Sequence, residues 1–376
     1  VREDPVRKGL LYAGTELGMY ISFDEGAHWN QWELNLPIVP ITDLTIRNND
    51  LVAATSGRSF WILDDLSPVQ QIATETVEAD VHLFRPRPTV QVLWGGQEPR
   101  GPVGKNPPDG AQIFVSLKEA PEELVTLEIL DESGEVVRTY VSDPEEAGNE
   151  NLSKLKELKE GLNRLSWDFR REAFTKIPDI MVFGSLNGRF VPPGRYKVRL
   201  SVGEEVQVQD LELLPDPRRT ASMSEYQEQE RFLAAASEMA EDIQTSVVRM
   251  RAVKTQVESF VKHAKDTGSG EDIEKAGEEL SKKITDWEGE LVQPKQKTQQ
   301  DIINFENQLA NQVLALIASV NGAEPPVTQG AQERLNDLES EWATHRAARD
   351  GLLTDVASFN QLIRDANIDP IVVPKK

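Results

Sequence analysis

Two adjacent carboxylates, Asp64 and Asp65, follow the short apolar run Phe60–Leu63. Glycoside hydrolysis uses two carboxyl groups that face each other across the scissile bond. Successive side chains of a strand point to opposite faces of its sheet, so neighbouring acids make a poor facing pair. We therefore expect Asp64 and Asp65 to cap the end of a strand, and the sequence assigns no catalytic residue.

Other catalytic or metal-binding patterns are absent from the sequence. It contains no cysteine, so thiolate metal sites and cysteine nucleophiles are excluded. None of its four histidines lies within metal-ligand spacing of another. The sequence also lacks a G-x-S-x-G elbow, a phosphate-binding loop and a G-x-G-x-x-G motif. These observations predict a protein without a metal or cofactor, and they favour a non-enzymatic function. The four histidines are His28, His82, His263 and His345.

The segment SFDEGAHW, residues 22–29, carries Ser22, Asp24, Gly26 and Trp29 in the S-x-D-x-G-x-x-W pattern of an Asp-box. An Asp-box is a hairpin that normally repeats around a β-propeller. Ser and Asp side chains suit hydrogen bonds to the amides of a turn, and glycine suits a positive φ. The Trp side chain can pack beneath the turn. All four roles are structural, so the motif predicts a fold and no active site.

Residues 1–70 have the pattern of short β-strands. Apolar runs of four or five residues alternate with turn signals, such as 48–50 and 56–58. Strands of this length and spacing suit a propeller blade. Propeller strands bury aromatic side chains between blades, so we expect a core role for Phe60 and Trp61.

Two further segments differ in composition. Residues 71–110 are dense in Pro and Gly, which predicts an extended linker. Trp94 within this linker is a candidate for stacking on a sugar. Residues 111–217 contain six or seven alternating strands, the number and size of an immunoglobulin-like β-sandwich. One insertion there, residues 145–161, predicts a short exposed helix.

Residues 218–376 predict helices. Apolar residues recur at spacings of three and four in four stripes, which begin at Phe232, Ile273, Ile302 and Leu335. We interpret the stripes as the core of an antiparallel helical bundle, or of a long hairpin with two shorter helices packed on it. The overall fold class is therefore a multidomain β and α protein. Its predicted domains are a terminal propeller blade (1–70), a linker (71–110), a sandwich (111–217) and a bundle (218–376).

The charge of the chain bears on its partners. It has 63 acidic and 41 basic residues, a formal net charge of −22, and such a surface repels nucleic acid. No apolar run approaches the roughly 18 residues that a membrane helix needs, so no transmembrane segment is expected. The acidic charge and the lack of cysteine suit a secreted, periplasmic or cell-surface protein.

The segments 10–29 and 36–71 resemble the last propeller portion of large bacterial proteins with sortilin-like, BNR-type repeats. These proteins are often labelled glycosyl hydrolases of that repeat class. The resemblance continues through 106–121, 125–140, 161–170 and 193–202, which are similar to the family's Ig-like domain. Residues 304–326 and 359–373 resemble its helical tail. The family usually has His-Gly-Arg-Ser where this chain has Ser56-Gly57-Arg58-Ser59, so a function of that histidine is not implied here.

The resemblance implies that further blades complete the propeller, either on the same precursor or on another chain. A lone blade would expose broad apolar faces to water. We expect a non-enzymatic, exported binding or scaffolding protein that contacts protein or glycan. The alternative is the supporting C-terminal part of a BNR-propeller glycoside hydrolase whose catalytic blades lie elsewhere.

Overall fold

The computed structural model describes residues 1–32, 34–92, 101, 104, 106–149, 152–182, 184–267 and 270–366. Within these residues the chain combines several β-sheets with a C-terminal helical region. It divides into two compact units, each made of two separate stretches of sequence. Unit 1 contains Val1–Phe169 and Gly194–Asp216, and unit 2 contains Arg170–Pro193 and Pro217–Lys376.

The N-terminal part of unit 1 forms two small antiparallel sheets, with the strand orders β1-β2-β3-β4 and β5-β6-β7. Asn48 and Asn49 both have positive φ angles, 50° and 64°, which allow the two-residue turn between β5 and β6. Residues 1–70 therefore form two sheets, where the sequence predicted the strands of one blade. The strands are β1 (Arg2–Glu3), β2 (Leu11–Thr15), β3 (Gly18–Ser22), β4 (Asn30–Gln31), β5 (Ile41–Arg47), β6 (Asp50–Thr55) and β7 (Phe60–Leu63).

One apolar core joins these two sheets. Alternate residues of the strands point inward, as the period of two requires. Tyr12 and Met19 from the first sheet pack with Leu44 and Leu51 from the second. Burial of both inner faces holds the two sheets together, while their outer faces receive no cover from this core.

The segment that follows is not the extended linker that its Pro and Gly content predicted. Residues 67–91 form two short helices, α1 (Ser67–Gln71) and α2 (Thr74–Glu78), and two strands, β8 (Val81–Leu83) and β9 (Thr89–Gln91). Both strands pair with strands of the later sheets, because β8 binds β10 and β9 binds β16. These long-range pairings override the local composition of the segment.

The remaining part of unit 1 forms a three-stranded and a six-stranded sheet, with the orders β14-β10-β8 and β13-β12-β11-β15-β16-β9. Most pairs are antiparallel, but β13 and β9 pair in parallel with β12 and β16. Trp167 is fully buried in this region and packs edge to face against Tyr196. The further strands are β10 (Ala111–Leu117), β11 (Val125–Leu130), β12 (Val136–Val141), β13 (Ser153–Lys154), β14 (Gly161–Trp167), β15 (Gly194–Val202) and β16 (Glu205–Pro215).

The helix predicted at residues 145–161 is wrong. In the described part of this insertion the chain forms turns and then strand β13, which pairs with Tyr140 and Val141. Leu155 and Leu158 are buried, so the insertion folds onto the sheet instead of standing free as an amphipathic helix. Burial of these two leucines outweighs the helix propensity of the Lys and Glu residues around them.

Two glutamines join the edge of the three-stranded sheet to the six-stranded sheet. Gln207 of β16 accepts from the backbone N–H of Leu83 at 2.7 Å and donates to the carbonyl of Val81 at 2.9 Å. Gln209 donates to the carbonyl of Leu83 at 3.1 Å. The two side-chain amides thus satisfy backbone groups on the outer edge of β8, which would otherwise lack partners.

Unit 2 is built mainly from four helices. Lys265 of the first helix binds Glu278 of the second, and Arg251 binds Glu288, so these two helices run antiparallel. Lys283 binds Asp355, which links the second helix to the fourth. The helices are α3 (Met223–Thr267), α4 (Glu271–Leu291), α5 (Leu309–Asn321) and α6 (Gln329–Asp365).

The predicted apolar stripes form the core of this helical region. Ile243, Ile284, Val313 and Leu338, one from each stripe, are almost completely buried in one cluster. The third helix begins later than its stripe, because Gln299–Ile303 is a 3-10 turn and α5 starts at Leu309. The prediction of four helices is confirmed, including two long and two shorter ones.

Residues 170–193 belong to the helical unit, although the sequence placed them inside a continuous sandwich at 111–217. Ile177 is buried in the core of unit 2, and Phe174 packs beside it. Thr175 donates its backbone N–H to Glu241 at 2.9 Å. The segment lacks the alternating pattern of a strand, and the apolar side chains that it carries cover the helices instead.

Candidate interaction surface

The Asp-box pattern lies in a closed network of hydrogen bonds at the end of β3. Gly26 donates its backbone N–H to the Oγ of Ser22 at 2.9 Å, and Ser22 donates to Oδ1 of Asp24 at 2.9 Å. The same Oδ1 accepts from the backbone N–H of His28 at 2.9 Å. Both polar side chains therefore serve the turn itself, in the structural roles that the sequence indicated for them.

A histidine reinforces this network from the surface. Nδ1 of His28 lies 2.6 Å from Oδ2 of Asp24, and both side chains are exposed. The backbone N–H of His28, followed by its imidazole and the Ser22 hydroxyl, lowers the pKa of Asp24 to about 2. A carboxylate that stays ionised in this way is suited to hold a turn and unsuited to donate a proton in catalysis.

Gly26 and Trp29 complete the pattern. Gly26 has a φ of 91°, the region that favours glycine. The indole of Trp29 lies 3.6 Å from the position that a Cβ of Gly26 would occupy. Trp29 is 37% exposed, so its ring covers the glycine at the surface and is not fully buried beneath the turn.

The neighbouring acids Asp64 and Asp65 occupy different environments, as their places along the strand predicted. Oδ1 of Asp65, which is buried, accepts from the backbone N–H of Ser67 at 2.9 Å and from its hydroxyl at 2.5 Å. Asp65 thus ends strand β7 and begins α1. Burial and then the charge of Asp50 raise the pKa of Asp64. The structure does not bring the two carboxylates together as a facing pair.

A buried polar cluster that the sequence did not indicate lies close to these acids. The hydroxyl of Tyr12 donates to Asp4 at 2.8 Å, and the amide of Gln70 donates to Asp4 at 3.0 Å and to Asn49 at 2.6 Å. Burial and the bond to Asp4 raise the pKa of Tyr12. Asp4 and Gln70 are 66 residues apart, so no local pattern could have revealed the cluster. It ties the N-terminal segment to α1.

Metal binding finds no support in the part of the chain that the structure describes, where no group of three or more His, Asp, Glu or Cys could hold an ion. The candidate stacking residue Trp94 lies outside the described residues.

Strand β7 presents apolar side chains to solvent. Phe60 is 75% exposed and Ile62 is 58% exposed, so the core role expected for Phe60 is not met by this chain. Both residues lie on the outer face of the sheet, where they neighbour Ala54 and Val52 of β6. Within the described residues β7 pairs only with β6, and its other edge is open. An open edge with exposed apolar side chains is a place where other chains bind.

Trp61 points to the opposite, inner face. Its Nε1 donates to the carbonyl of Arg58 at 3.0 Å. With Trp32 and Leu36 it lines a cavity of about 50 Å³ between the two small sheets. A water molecule occupies about 30 Å³ of liquid, so this cavity is too small for a sugar. Trp61 is therefore a core residue, as the sequence indicated.

A second depression lies in unit 2, between α3 and α6. This groove has a volume of about 860 Å³, and its lining includes Glu238, Asp242 and Trp342. Asp242 already accepts from the indole N–H of Trp342 at 3.2 Å and pairs with Arg349 at 3.3 Å. The central carboxylate of the groove thus has partners from within the helices, and the outer face of β5-β6-β7, here called the β7 surface, remains the stronger candidate for function.

Comparison with known proteins adds no identification. No protein-family model matches this chain, and the search of curated proteins finds no similar sequence. In the described part of the chain, no helix is both long enough and apolar enough to cross a membrane. Function must therefore be argued from the geometry of the chain.

Proposed function

We propose that this chain is a non-enzymatic binding or scaffolding protein, which docks onto further β-structure through its two N-terminal sheets. The observation that carries this proposal is the open edge of β7, with Phe60 and Ile62 exposed on its outer face. Scattered apolar side chains are normal on a protein surface. Two at consecutive outward positions of an unpaired strand mark a contact site.

The resemblance of residues 10–29 and 36–71 to the end of a BNR-type propeller supports the same proposal. In such an assembly, sheets pack face to face in series, and the last sheets of one segment need neighbours. The two sheets of residues 1–63 already pack in this manner on one another. We accordingly assign the missing neighbours to upstream blades, carried by the same precursor or by another chain, and residues 111–169 and 194–215 to an Ig-like sandwich.

An exported location belongs to this proposal, on the basis of the resemblance, the acidic charge and the absence of cysteine. Protein is the partner that the β7 surface favours. A glycan contact through Trp94 stays a prediction, since that residue lies outside the described part of the chain.

The alternative function is support for a propeller glycoside hydrolase with its catalytic acids on other blades. That function would use the same β7 surface, so the two proposals differ in what the attached blades contain. A hydrolase requires two facing carboxyl groups, roughly 5–10 Å apart, on those blades.

The test is native mass spectrometry of the protein purified from its source, with peptide sequencing of every chain present. A longer chain or a second polypeptide with more Asp-box patterns would support docked blades, and a hydrolase assay would then separate the two functions. A chain that runs alone, or only with subunits that lack such repeats, contradicts the proposal of attached blades.

Matched variants connect this result to the β7 surface. Phe60→Ser with Ile62→Ser removes the exposed apolar pair of β7 and should release the partner from the complex. Val206→Ser with Val208→Ser removes a similarly exposed pair on β16 and should leave the complex intact. Equal behaviour of the two double variants would show that the β7 surface is not the docking site.

A further inference from the structure

We infer that the open edge of β7 binds one extended strand of a partner protein, and that this strand carries apolar side chains between carboxylates. The inference rests on the proposed function and deepens it, because it names the mode of binding and the chemistry of the partner. Three features of the strand support it: the direction of its backbone groups, the character of its exposed side chains and the charges around it.

The backbone of β7 is arranged to accept another strand. The N–H of Thr55 donates to the carbonyl of Ser59 at 3.1 Å, which fixes the bonded positions of the antiparallel pair β6-β7. Every second residue from Ser59 onward, namely Trp61 and Leu63, then points its N–H and carbonyl toward β6. Phe60 and Ile62 point theirs the other way, toward the open edge.

Side chains at the same two positions favour a partner strand with apolar residues. Phe60 and Ile62 project from the outer face, next to Val52 and Ala54 on β6. A strand added beside β7 would place its own outward side chains directly against Phe60 and Ile62, since cross-strand neighbours lie about 5 Å apart. Apolar partners there would remove both side chains from water.

Charges around the β7 surface favour carboxylates at the ends of that strand. The carboxylates beside the surface are matched by arginines: Asp43 binds Arg2 at 2.8 Å, Asp50 binds Arg87 at 3.0 Å, and Asp64 lies near Arg87 and Arg164. Arg47, at the turn before β6, and Arg58, before β7, are both exposed. Neither takes part in an ion pair found among the described residues. In a chain of net charge −22, the free charges at this surface are thus two cations.

A second copy of this chain is a poorer partner for the same reason. Two copies would bring together two sets of exposed arginines and two net charges of −22. A partner with carboxylates on both sides of an apolar strand would complement Arg47 and Arg58.

The test uses two synthetic peptides as probes. Both have a central stretch of alternating Val and Thr, and one has two Glu at each end whereas the other has two Lys. We expect the Glu-ended peptide to bind the full chain about tenfold more tightly, with the difference lost at 1 M salt. Hydrogen exchange should show slower exchange in the segment 59–64. Equal binding of both peptides, or protection elsewhere, would overturn the inference.

Variants separate strand pairing from simple apolar contact. Ile62→Thr removes apolar area but keeps the outward N–H, while Ile62→Pro also removes that N–H and spares the bonds to β6. We expect the proline variant to bind the Glu-ended peptide at least tenfold more weakly than the threonine variant. Equal loss in both variants would mean that no strand is added. Circular dichroism confirms that both variants fold.

Charge reversal tests the second part of the inference. Arg47→Glu with Arg58→Glu should reverse the preference, so that the Lys-ended peptide binds more tightly. Arg195→Glu with Lys197→Glu changes the net charge equally on β15, and it should leave the preference unchanged. An unchanged preference in the first variant would refute the role of the two arginines.

The two levels of the proposal fail in different ways. If neither peptide binds but the source complex still dissociates upon Phe60→Ser with Ile62→Ser, the β7 surface is a docking site and strand addition is wrong. If the source complex is insensitive to that double variant, the docking function itself is wrong. A dimer of the chain alone, detected by light scattering and lost in the double variant, would show that a second copy is the partner and would overturn the inference.

Discussion

At the scale of single residues, Asp24 shows how one carboxylate holds the SFDEGAHW turn. Its pKa is lowered from 3.8 to about 2, and the backbone N–H of His28 is the largest cause. The folded state therefore binds the proton less readily than the unfolded state. The stabilisation from Asp24 is present above pH 4 and is lost as the pH falls through 2.

We predict that the Asp24 carboxyl remains ionised at pH 3 in the folded protein. Carbon NMR of the side chain, followed from pH 6 downward, measures this directly. His28→Ala removes the imidazole but keeps the backbone N–H, so the pKa should rise only part of the way toward 3.8. A midpoint near 3.8 in the parent protein, or a complete return to it in the variant, would contradict this account of the turn.

Gly110 provides a second prediction at this scale. It has a φ of 99°, and a Cβ there would lie 2.1 Å from the carbonyl oxygen of Trp167. The alanine variant must therefore displace the backbone that carries the most buried indole of the sheet. We expect Gly110→Ala to lower the free energy of unfolding by about 3 kcal/mol or more, from overpacking and backbone strain together.

Gly134 is the matched control for this substitution. Its φ is 89°, but nothing lies within 4 Å of the position of its Cβ. Gly134→Ala should therefore cost only the conformational strain of about 1–2 kcal/mol. Urea denaturation of both variants compares them, and equal losses would show that the contact with Trp167 is unimportant.

At the scale of elements, the two glutamines of β16 join separate sheets through side chains. Gln207 serves two backbone groups of β8, the N–H of Leu83 and the carbonyl of Val81. Gln207→Ala leaves both groups without that partner, so we expect a loss of about 1–3 kcal/mol in the free energy of unfolding. Glu212→Ala, an exposed position on the same strand, should change it by no more than about 0.5 kcal/mol. Faster hydrogen exchange at 81–83 in the first variant alone would locate the effect, and an unchanged rate there would refute it.

The same elements show what the sequence could and could not predict. Helical stripes such as Ile243 and Ile284 were correctly assigned to a core, because the period of 3.6 is a local property of the chain. Strands β8 and β9 were missed, since their pairing with β10 and β16 depends on residues far along the chain. The helix predicted at 145–161 failed because burial against a sheet decided that segment.

For the candidate site, prediction succeeded where one turn contained all the partners. The bonds of Ser22 and Asp24 connect residues at most four apart, so the motif revealed them. The cluster of Asp4, Tyr12 and Gln70 spans 66 residues and left no pattern. Exposure of Phe60 could not be read from its strand either, because an apolar alternation does not say which sheet face the protein itself covers.

At the scale of the whole molecule, the chain passes between its two units more often than the predicted order of domains implied. Residues 170–193 leave unit 1 after Phe169, join the helical unit and return at Gly194. Several contacts hold this segment: Ile177 lies in the helical core, Thr175 bonds to Glu241, and Phe190 donates its N–H to Asn321 at 2.7 Å. The segment is therefore part of the helical fold and not a loop of the sandwich.

This assignment predicts where a core substitution in the segment will act. Ile177 is 2% exposed, so Ile177→Ala leaves a cavity among the helices and should cost about 2–4 kcal/mol of unfolding free energy. Hydrogen exchange should accelerate across α3 and α4, which contribute to the same core, while the strands 111–117 and 161–167 keep their parent rates. Leu162→Ala, at an exposed position of β14, serves as the control and should leave both regions unchanged. If Ile177→Ala instead accelerated exchange in those strands and spared the helices, residues 170–193 would belong to the sandwich, because a cavity weakens first the core that surrounds it.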